Sequence, residues 1–269
     1  MVGVGQRSEK KLRGELLKRA YFEAPPERVA RRLLGKVLAR RTRSGWMAGR
    51  IVEVEAYLGP HRQPADPAAH AHRGPTPRNQ VLFGPAGHAY VYSIYGRYFC
   101  MNVSCEREGR AGSVLLRALE PVAGLEQMAR NRGLSGFPPF SQETREGWGT
   151  DERRGTGRGP GCEPGRELTS GPGRLCQALG ITRSADNGLD LLDPKSSLQL
   201  RDDGTRAGRV LVTARIGIRH AVELPLRFAL AGNGCVSGPK SMGRACIVPH
   251  SHAVIELIPK HLPESAQRP

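Results

Sequence analysis

The chain has 269 residues, enough for one large domain with a sizeable buried core. It carries 41 Lys and Arg against 25 Asp and Glu, a formal net charge of +16 that favours a polyanionic partner such as nucleic acid. No apolar stretch approaches the ~18 residues of a membrane span, and the first 19 residues have no apolar signal-peptide core. We therefore expect a protein that is neither secreted nor in a membrane, located in the cytoplasm or nucleoid of a bacterium or the nucleus of a eukaryote.

The first half of the chain predicts a tail, a helix and a hairpin. Residues 1–19 are basic and aperiodic, and are predicted to form a flexible tail. An amphipathic helix is predicted from Pro25, and Gly35 closes it as a C-cap glycine does. The alternating stretches 36–43 and 46–57, separated by a Ser-Gly pair, indicate a β-hairpin. Residues 60–87 are rich in Pro, Gly and His, and are predicted to form an irregular loop.

The second half predicts further strands around a long insertion. Strands are predicted at 89–103, 113–119, 210–218 and 226–230, a helix from Pro121 to Arg130, and a second helix capped by Ser170 and ended by Gly180. Residues 131–166 are Gly-rich without periodicity, which indicates a flexible insertion loop. The pattern predicts an α+β fold, a single domain over 20–260 with a curved, mostly antiparallel sheet, peripheral helices and long loops, followed by a tail at 261–269.

An acidic strand is the first candidate for chemistry. In the segment 50–57, RIVEVEAY, a period of two places Glu53, Glu55 and Tyr57 on one face, and Val52, Val54 and Ala56 on the other. A carboxylate beside an aromatic surface can act as a general base toward water. The same pattern also fits an exposed strand face paired with arginines of a neighbouring strand, so the strand alone does not decide the chemistry.

A tyrosine cluster is the second candidate. Four of the six tyrosines, Tyr90, Tyr92, Tyr95 and Tyr98, fall within nine residues. Alternation places the first two on one face, while the third precedes a glycine where the backbone can turn and let the ring project. Arg97 follows as a candidate phosphate contact. Rings interleaved with arginine suit base stacking and backbone binding. Because Tyr is also a strong strand former, we expect Tyr90 and Tyr98 to pack in the core.

Seven segments in order along the chain resemble the alkyladenine (3-methyladenine) DNA glycosylase family. They are 49–60 (GRIVEVEAYLGP), 68–70 (AAH), 76–79 (TPRN), 90–102 (YVYSIYGRYFCMN), 114–121 (VLLRALEP), 170–181 (SGPGRLCQALGI) and 214–218 (ARIGI). The resemblance extends from about residue 20 to residue 240 and does not cover the tail. It implies a base-excision-repair enzyme that flips alkylated or deaminated purines from double-stranded DNA and hydrolyses the N-glycosidic bond, without a metal or other cofactor. We expect it to act as a monomer.

The resemblance also implies roles for individual residues. Glu55 matches the general base that activates the attacking water, and Arg117 matches the residue that assists that water. The residues that match the base-binding pocket are Tyr57, His70, Tyr92 and Asn102, the last of which disfavours the amino group of normal guanine. Tyr95 matches the side chain inserted into the gap that the flipped nucleotide leaves.

This sequence departs from the family pattern at three places. Residues 61–64 lengthen the loop before 68–70, so His72 is an alternative to His70 in the pocket. Arg97 stands where the family commonly has Met, and the 131–166 insertion is longer than expected.

Three other functions are compatible with parts of the sequence. His61, His70, His72 and His88, together with Glu53 and Glu55, could bind a metal in a hydrolase, although their spacing matches no standard zinc pattern. A nucleic-acid-binding protein without activity could use the same scaffold. A glycosylase that also cleaves the strand would need an amine nucleophile, and no Lys lies near Glu55 or Tyr92.

The six cysteines include no C-x-x-C pair, so reduced thiols are expected.

Overall fold

The computed structural model describes residues 14–134, 163–238 and 246–248, and an antiparallel sheet organises them. Its strands are β1 (Glu15–Leu16), β2 (Val37–Thr42), β3 (Gly45–Tyr57), β4 (Ala89–Ile94), β5 (Tyr98–Cys105), β6 (Gly112–Ala123), β7 (Leu198–Asp202), β8 (Val210–Thr213), β9 (Arg227–Leu230) and β10 (Cys246–Val248). The helices are α1 (Pro26–Leu33), α2 (Leu125–Asn131), α3 (Glu163–Thr169), α4 (Pro172–Leu179) and α5 (Arg183–Asp186), with 3₁₀ turns at Arg19–Tyr21 and Gln80–Phe83.

The strand order places the acidic strand in the middle of the sheet. The main path runs β1-β7-β2-β3-β6-β5-β4, and a branch from β3 continues through β9 and β8 to β10. Every pairing among the described strands is antiparallel, which confirms the predicted α+β class. Along Glu53–Glu55, β3 is paired with β6 and with β9. This segment is therefore held on both of its hydrogen-bonding edges.

The helices pack on the sheet through apolar faces. In α1, Val29, Ala30 and Leu33 are buried against the core, while Arg31 and Arg32 lie on the other side. Proline at the start and Gly35 at a φ of 84° after the end confirm the predicted helix. Complete burial of a side chain such as Leu33 contributes about 1.5–3 kcal/mol, so the core is what fixes the sheet and its helices together.

Strand β3 contains a bulge where the acidic residues lie. The register with β6 shifts between Ile51 and Val54. Ile51 and Val54 pack in the main core, but Val52 packs in a separate cluster with Ala118 and Ala229. The prediction that Val52 shares a face with Val54 is therefore wrong, because the extra residue reverses the alternation at this point. Glu53 and Glu55 lie beyond it and still share a face.

Two helix boundaries differ from the predictions. Strand β6 continues through Pro121 to Ala123, and α2 begins only after Gly124, whose φ is 70°. Pro121 is tolerated in the strand because it lies opposite Gly49 at a second register shift. Ser170 does not cap α4, since it forms a bridge with Ala118 and the N-cap is Gly171.

Three predicted ranges are only partly described. Residues 14–19 are not a tail, because Glu15–Leu16 pairs with β7 and Leu17 is buried. Part of the predicted insertion is ordered, since α2 ends at Asn131 and α3 begins at Glu163. Residues 1–13, 135–162, 239–245 and 249–269, which include most of the insertion and the C-terminal tail, lie outside the described residues.

A buried ion pair ties the irregular loop at 60–87 to the sheet. Asp66 accepts two 2.7 Å hydrogen bonds from Arg215, and neither side chain is exposed. Asp66 also accepts the backbone N–H of Leu58 at 2.9 Å, and Arg215 donates to the carbonyl of Ala56 at 3.0 Å. The pair therefore joins this loop, the end of β3 and the segment after β8. That segment leaves the strand at Thr213, so the predicted strand 210–218 is correct only in its first part.

We expect Asp66→Ala to lower the free energy of unfolding by about 3–5 kcal/mol, because it leaves the buried Arg215 cation without its carboxylate. Urea unfolding of the two proteins measures the difference. The control is Glu126→Ala, which breaks an exposed pair with Arg130 and should cost about 0.5 kcal/mol or less. Equal losses in the two variants would contradict this assignment.

Candidate active site

The two glutamates of β3 share one arginine. Arg117 of β6 donates from Nε to Glu53 Oε1 at 2.8 Å, and its Nη1 lies 3.1 Å from Glu55 Oε1. Both carboxylates are completely buried. Burial opposes the charge of Arg117, but Glu55 and Glu53 outweigh it and raise the arginine's pKa above the ordinary value. Arg117 is therefore a cation at any physiological pH.

The two carboxylate oxygens of Glu55 differ in their number of polar contacts. Its Oε1 accepts the backbone N–H of Ile216 at 2.8 Å in addition to the contact with Arg117. Its Oε2 accepts only the Tyr57 hydroxyl, at 3.0 Å, among the described residues. Burial, and then the charge of Glu55, raise the pKa of Tyr57 well above its ordinary value, so this hydroxyl keeps its proton and donates it. The predicted common face of Glu53, Glu55 and Tyr57 is consistent with these contacts.

A cavity of about 310 Å³ is lined by Tyr57, the hydrogen-bond partner of Glu55. Four predicted site residues line it: Tyr57, His70, Tyr92 and Asn102. Gly217 to His220 line the opposite side, and Pro67 and Ala68 complete the wall. Glu55 itself is set back from the cavity by one hydrogen bond, through the Tyr57 hydroxyl. The volume is within the range of small-molecule sites, so the cavity is large enough for a nucleobase.

Aromatic rings form one wall of the cavity. Tyr90 and Tyr92 stack with ring centroids 5.3 Å apart, and His70 meets Tyr92 edge-on at 4.6 Å. His70 Nδ1 is hydrogen-bonded to the Tyr90 hydroxyl at 3.0 Å. Burial, and then the charge of Arg78, lower the pKa of His70, which favours a neutral imidazole near pH 7. Tyr90 is buried as predicted, and it supports the two rings that reach the cavity.

The sequence left His70 and His72 as alternatives for the pocket residue. His70 lines the cavity, whereas His72 lines a neighbouring cavity of about 320 Å³ together with Arg78 and Asn79. Asn79 fixes the loop by donating to the carbonyl of His70 at 2.8 Å. The geometry thus associates His70, and not His72, with Tyr57 and Tyr92.

Asn102 lies in the floor of the cavity and is 5% exposed. Its Nδ2 donates to Ser113 Oγ at 3.0 Å, and its Oδ1 accepts no hydrogen bond within the described part of the chain. The strand register places Asn102 opposite Tyr90, so the floor and the aromatic wall belong to one hairpin.

The tip of that hairpin presents Tyr95, which is 91% exposed. Tyr95 and Gly96 have φ values of 49° and 67°, and Arg97 N–H donates to the carbonyl of Ile94 at 3.3 Å. A left-handed conformation costs a residue with a Cβ about 1 kcal/mol or more, so this turn holds the ring outward at a local cost. Arg97 is also exposed. Tyr98 was expected in the core but is 41% exposed, because it lies beside the tip, where its ring is next to Gly173 of α4.

The histidines proposed for a metal site are engaged elsewhere. His61 pairs with Glu106 at 2.5 Å, and His88 Nδ1 contacts the carbonyl of Pro85 at 3.0 Å. Glu53 and Glu55 are surrounded by arginine and N–H donors, which repel a cation rather than bind one. In the described ranges no three His, Cys, Asp or Glu side chains are arranged to hold a metal ion.

The expectation of reduced thiols is wrong for Cys235. Cys235 is disulfide-bonded, whereas Cys100, Cys105 and Cys176 are free. Spacing along the sequence did not indicate this bond, because a disulfide depends on which cysteines the fold brings together. No helix in the described part of the chain is long and apolar enough to cross a bilayer.

Sequence reasoning missed the partners that hold the predicted residues. They are Arg227 and Ser237 at Glu53, the backbone N–H of Ile216 at Glu55, Ser113 at Asn102, and Arg215, whose guanidinium lies 4.6 Å from the centre of the Tyr57 ring. Arg215 and Ile216 lie in one of the segments that resemble the glycosylase family, 214–218, whereas Ser113 and Arg227 lie in predicted strands to which no role was given. A single sequence carries no signal for the others.

Comparisons with known proteins agree with the geometry. The family described as methylpurine-DNA glycosylase matches residues 20–234. A predicted 3-methyladenine DNA glycosylase of Koribacter versatilis is 49% identical over 83% of this chain and 94% of its own length. Proteins of the same name from Burkholderia lata and Methanoculleus marisnigri are 42% and 44% identical, over 84% and 81% of this chain and 93% and 96% of their own lengths. The chain therefore belongs to the methylpurine-DNA glycosylase family and is a DNA glycosylase.

Proposed function

We propose that this DNA glycosylase removes alkylated or deaminated purines by flipping them into the aromatic cavity and hydrolysing the N-glycosidic bond with water activated by Glu55. The observation that carries the proposal is the position of Glu55, one hydrogen bond behind a base-sized cavity walled by aromatic rings. The names of the relatives, which refer to 3-methyladenine, support the same class of substrate.

Flipping is required because a stacked base hides its glycosidic carbon. Extrusion costs a few kcal/mol, and less for a damaged or mispaired base. Tyr95, exposed at the hairpin tip, is suited to fill the vacated space, and Arg97 beside it is suited to contact a phosphate. The net charge of +16 attracts the duplex before any base is recognised.

The cavity suits a cationic purine. Alkylation at N3 or N7 leaves the base positively charged, and electron-rich ring faces such as those of Tyr57 and Tyr92 attract cations by about 0.5–2 kcal/mol. A neutral His70 adds no repulsion to that charge. Asn102 in the floor would disfavour the amino group of an undamaged guanine. The candidate substrates are 3-methyladenine, 7-methylguanine, hypoxanthine and ethenoadenine, of which the neutral ones must be protonated to leave as easily.

Cleavage needs a positioned water and a nearby negative charge. Tyr57 is the one donor to Glu55 Oε2 among the residues that the structure describes, and we infer that this oxygen takes a proton from water. Arg117 orients the carboxylate, and the carboxylate stabilises positive charge that develops on the sugar. The products are the free base and an abasic site. The protein is proposed to work as a monomer without a cofactor, in the cytoplasm or nucleoid of a bacterium or the nucleus of a eukaryote.

Glu55→Gln should reduce the single-turnover excision rate at least a hundredfold, because the amide cannot accept the proton of water. The DNA dissociation constant should not change, since the amide oxygen can still accept the N–H of Ile216. Excision is measured on duplexes carrying each candidate lesion, with alkaline cleavage of the abasic sites, and Glu126→Gln is an exposed control. A DNA-binding protein without activity would show no turnover in either form.

Tyr95→Ala should weaken lesion binding and excision roughly tenfold or more, because one base-stacking contact is worth about 1–3 kcal/mol. Its thermal stability should not fall, because the ring makes little contact with the protein. Tyr95→Phe keeps the ring and should retain most of the activity. Wild-type excision by the alanine variant would exclude Tyr95 as the wedge.

Borohydride added during the reaction should trap no covalent adduct between protein and DNA. A strand-cleaving glycosylase forms a Schiff base through an amine, and Lys36, a described lysine directly before β2, is 2.6 Å from Asp202 rather than beside Glu55. Gel electrophoresis after reduction measures adducts directly. A trapped band would show that the enzyme is bifunctional.

A further inference from the structure

We propose that Glu53 is a positioning residue for the reaction: it engages one side of the Arg117 guanidinium, so that Glu55 receives only a single nitrogen. The inference rests on the proposed function of Glu55. Glu53 was singled out in the sequence because it shares a face with Glu55, but no step of the hydrolysis uses it. Its burial at 0% exposure therefore requires another explanation.

Glu53 is saturated with donors. Its Oε1 accepts from Arg117 Nε at 2.8 Å, Arg227 Nε at 2.7 Å and Ser237 Oγ at 2.9 Å, and its Oε2 accepts the Ser237 N–H at 2.6 Å. These donors come from β6, from β9 and from the chain after β9. A carboxylate with this many partners cannot act as a base toward water, but it can fix the groups around it.

Arg117 is fixed in turn on three of its nitrogens. Nε contacts Glu53, Nη2 donates to Ser237 Oγ at 3.2 Å, and Nη1 lies 3.1 Å from Glu55 Oε1. Arginine and a carboxylate commonly pair through two parallel hydrogen bonds. Such pairing with Glu55 would occupy both of its oxygens. Because Glu53 and Ser237 hold Nε and Nη2, the guanidinium meets Glu55 through Nη1 alone, and Glu55 Oε2 is left without a contact from this arginine.

The charges around the pair give a second consequence. In the part of the chain that the structure describes, the charged and titratable groups that face Glu53 and Glu55 are Arg117 of β6, Arg227 of β9, Tyr57 of β3 and Cys100 of β5. Tyr57 and Cys100 are neutral near pH 7, since burial raises both of their pKa values, that of Cys100 to about 11. Within the described residues, two carboxylates thus balance two guanidinium groups. Glu53→Gln therefore removes a charge as well as a hydrogen-bond partner, whereas Glu53→Asp keeps the charge.

The experiment compares the wild type with Glu53→Gln and Glu53→Asp on a duplex carrying a methylated purine. In Glu53→Gln, Arg117 can pair with both oxygens of Glu55, and the single-turnover rate should fall about 10- to 100-fold with an unchanged dissociation constant for DNA. Glu53→Asp keeps the charge but shortens the side chain, so its rate should also fall while its DNA affinity stays unchanged.

The double variant Glu53→Gln/Arg227→Gln separates positioning from stability. Removing one partner of a buried pair destabilises strongly, whereas removing both is much less costly. Urea unfolding should therefore show that the double variant recovers stability relative to Glu53→Gln, while its excision rate stays low. A rate that recovers along with stability would overturn the inference.

Glu53→Asp decides the question if the glutamine variants do not fold, because it retains the charge that Arg227 requires. A lower excision rate with unchanged DNA affinity supports the positioning role, and a wild-type rate overturns it. Absence of excision by the wild-type protein on every candidate lesion would instead overturn the proposed function. The failures of the two proposals are therefore distinguishable.

Discussion

The division of Arg117 between Glu53 and Glu55 is the interaction on which the site depends. Two buried carboxylates repel each other and lose their hydration, which costs several kcal/mol for each ion unless opposite charges and donors surround it. The branched sheet meets this requirement, since β6 brings Arg117, β9 brings Arg227 and the following chain brings the N–H of Ser237. The junction of β3, β6 and β9 is therefore a condition for the chemistry as well as a feature of topology.

A second buried ion pair, between Asp66 and Arg215, holds the irregular loops in place. The 60–87 loop and the segment after β8 contain little secondary structure, yet both supply walls of the cavity. Asp66 and Arg215 hold them together, and Arg215 also lies over the Tyr57 ring. Unlike Arg117, Arg215 meets its carboxylate through two parallel hydrogen bonds of 2.7 Å. Such a closed pair suits a structural anchor, whereas a divided pair leaves an oxygen of Glu55 for the reaction.

The sequence predicted the catalytic face better than the contacts behind it. Alternation along β3 correctly placed Glu53 and Glu55 together, and the resemblance pointed to Tyr57, His70, Tyr92 and Asn102, which the fold brings to one cavity. Alternation was wrong at Val52, because a bulge adds a residue that no pattern marks. Arg227 and Ser237 could not be found, since they are 174 and 184 residues from Glu53 and only the fold joins them. Roles such as intercalation remain predictions in this chain.

In the proposed function, the hairpin of β4 and β5 would couple recognition of the duplex to recognition of the base. Tyr92 in the cavity wall and Tyr95 at the tip are three residues apart, about 10 Å of strand. Asn102 returns along β5 opposite Tyr90, whose hydroxyl holds His70. If Tyr95 enters the duplex as proposed, it would set the distance from the DNA to the cavity, because β4 between them is hydrogen-bonded to β5 along its length. The strained left-handed conformation of Tyr95 is consistent with a role in DNA binding. The exposed ring makes little contact with the protein, so the strain is not offset by packing in the free protein.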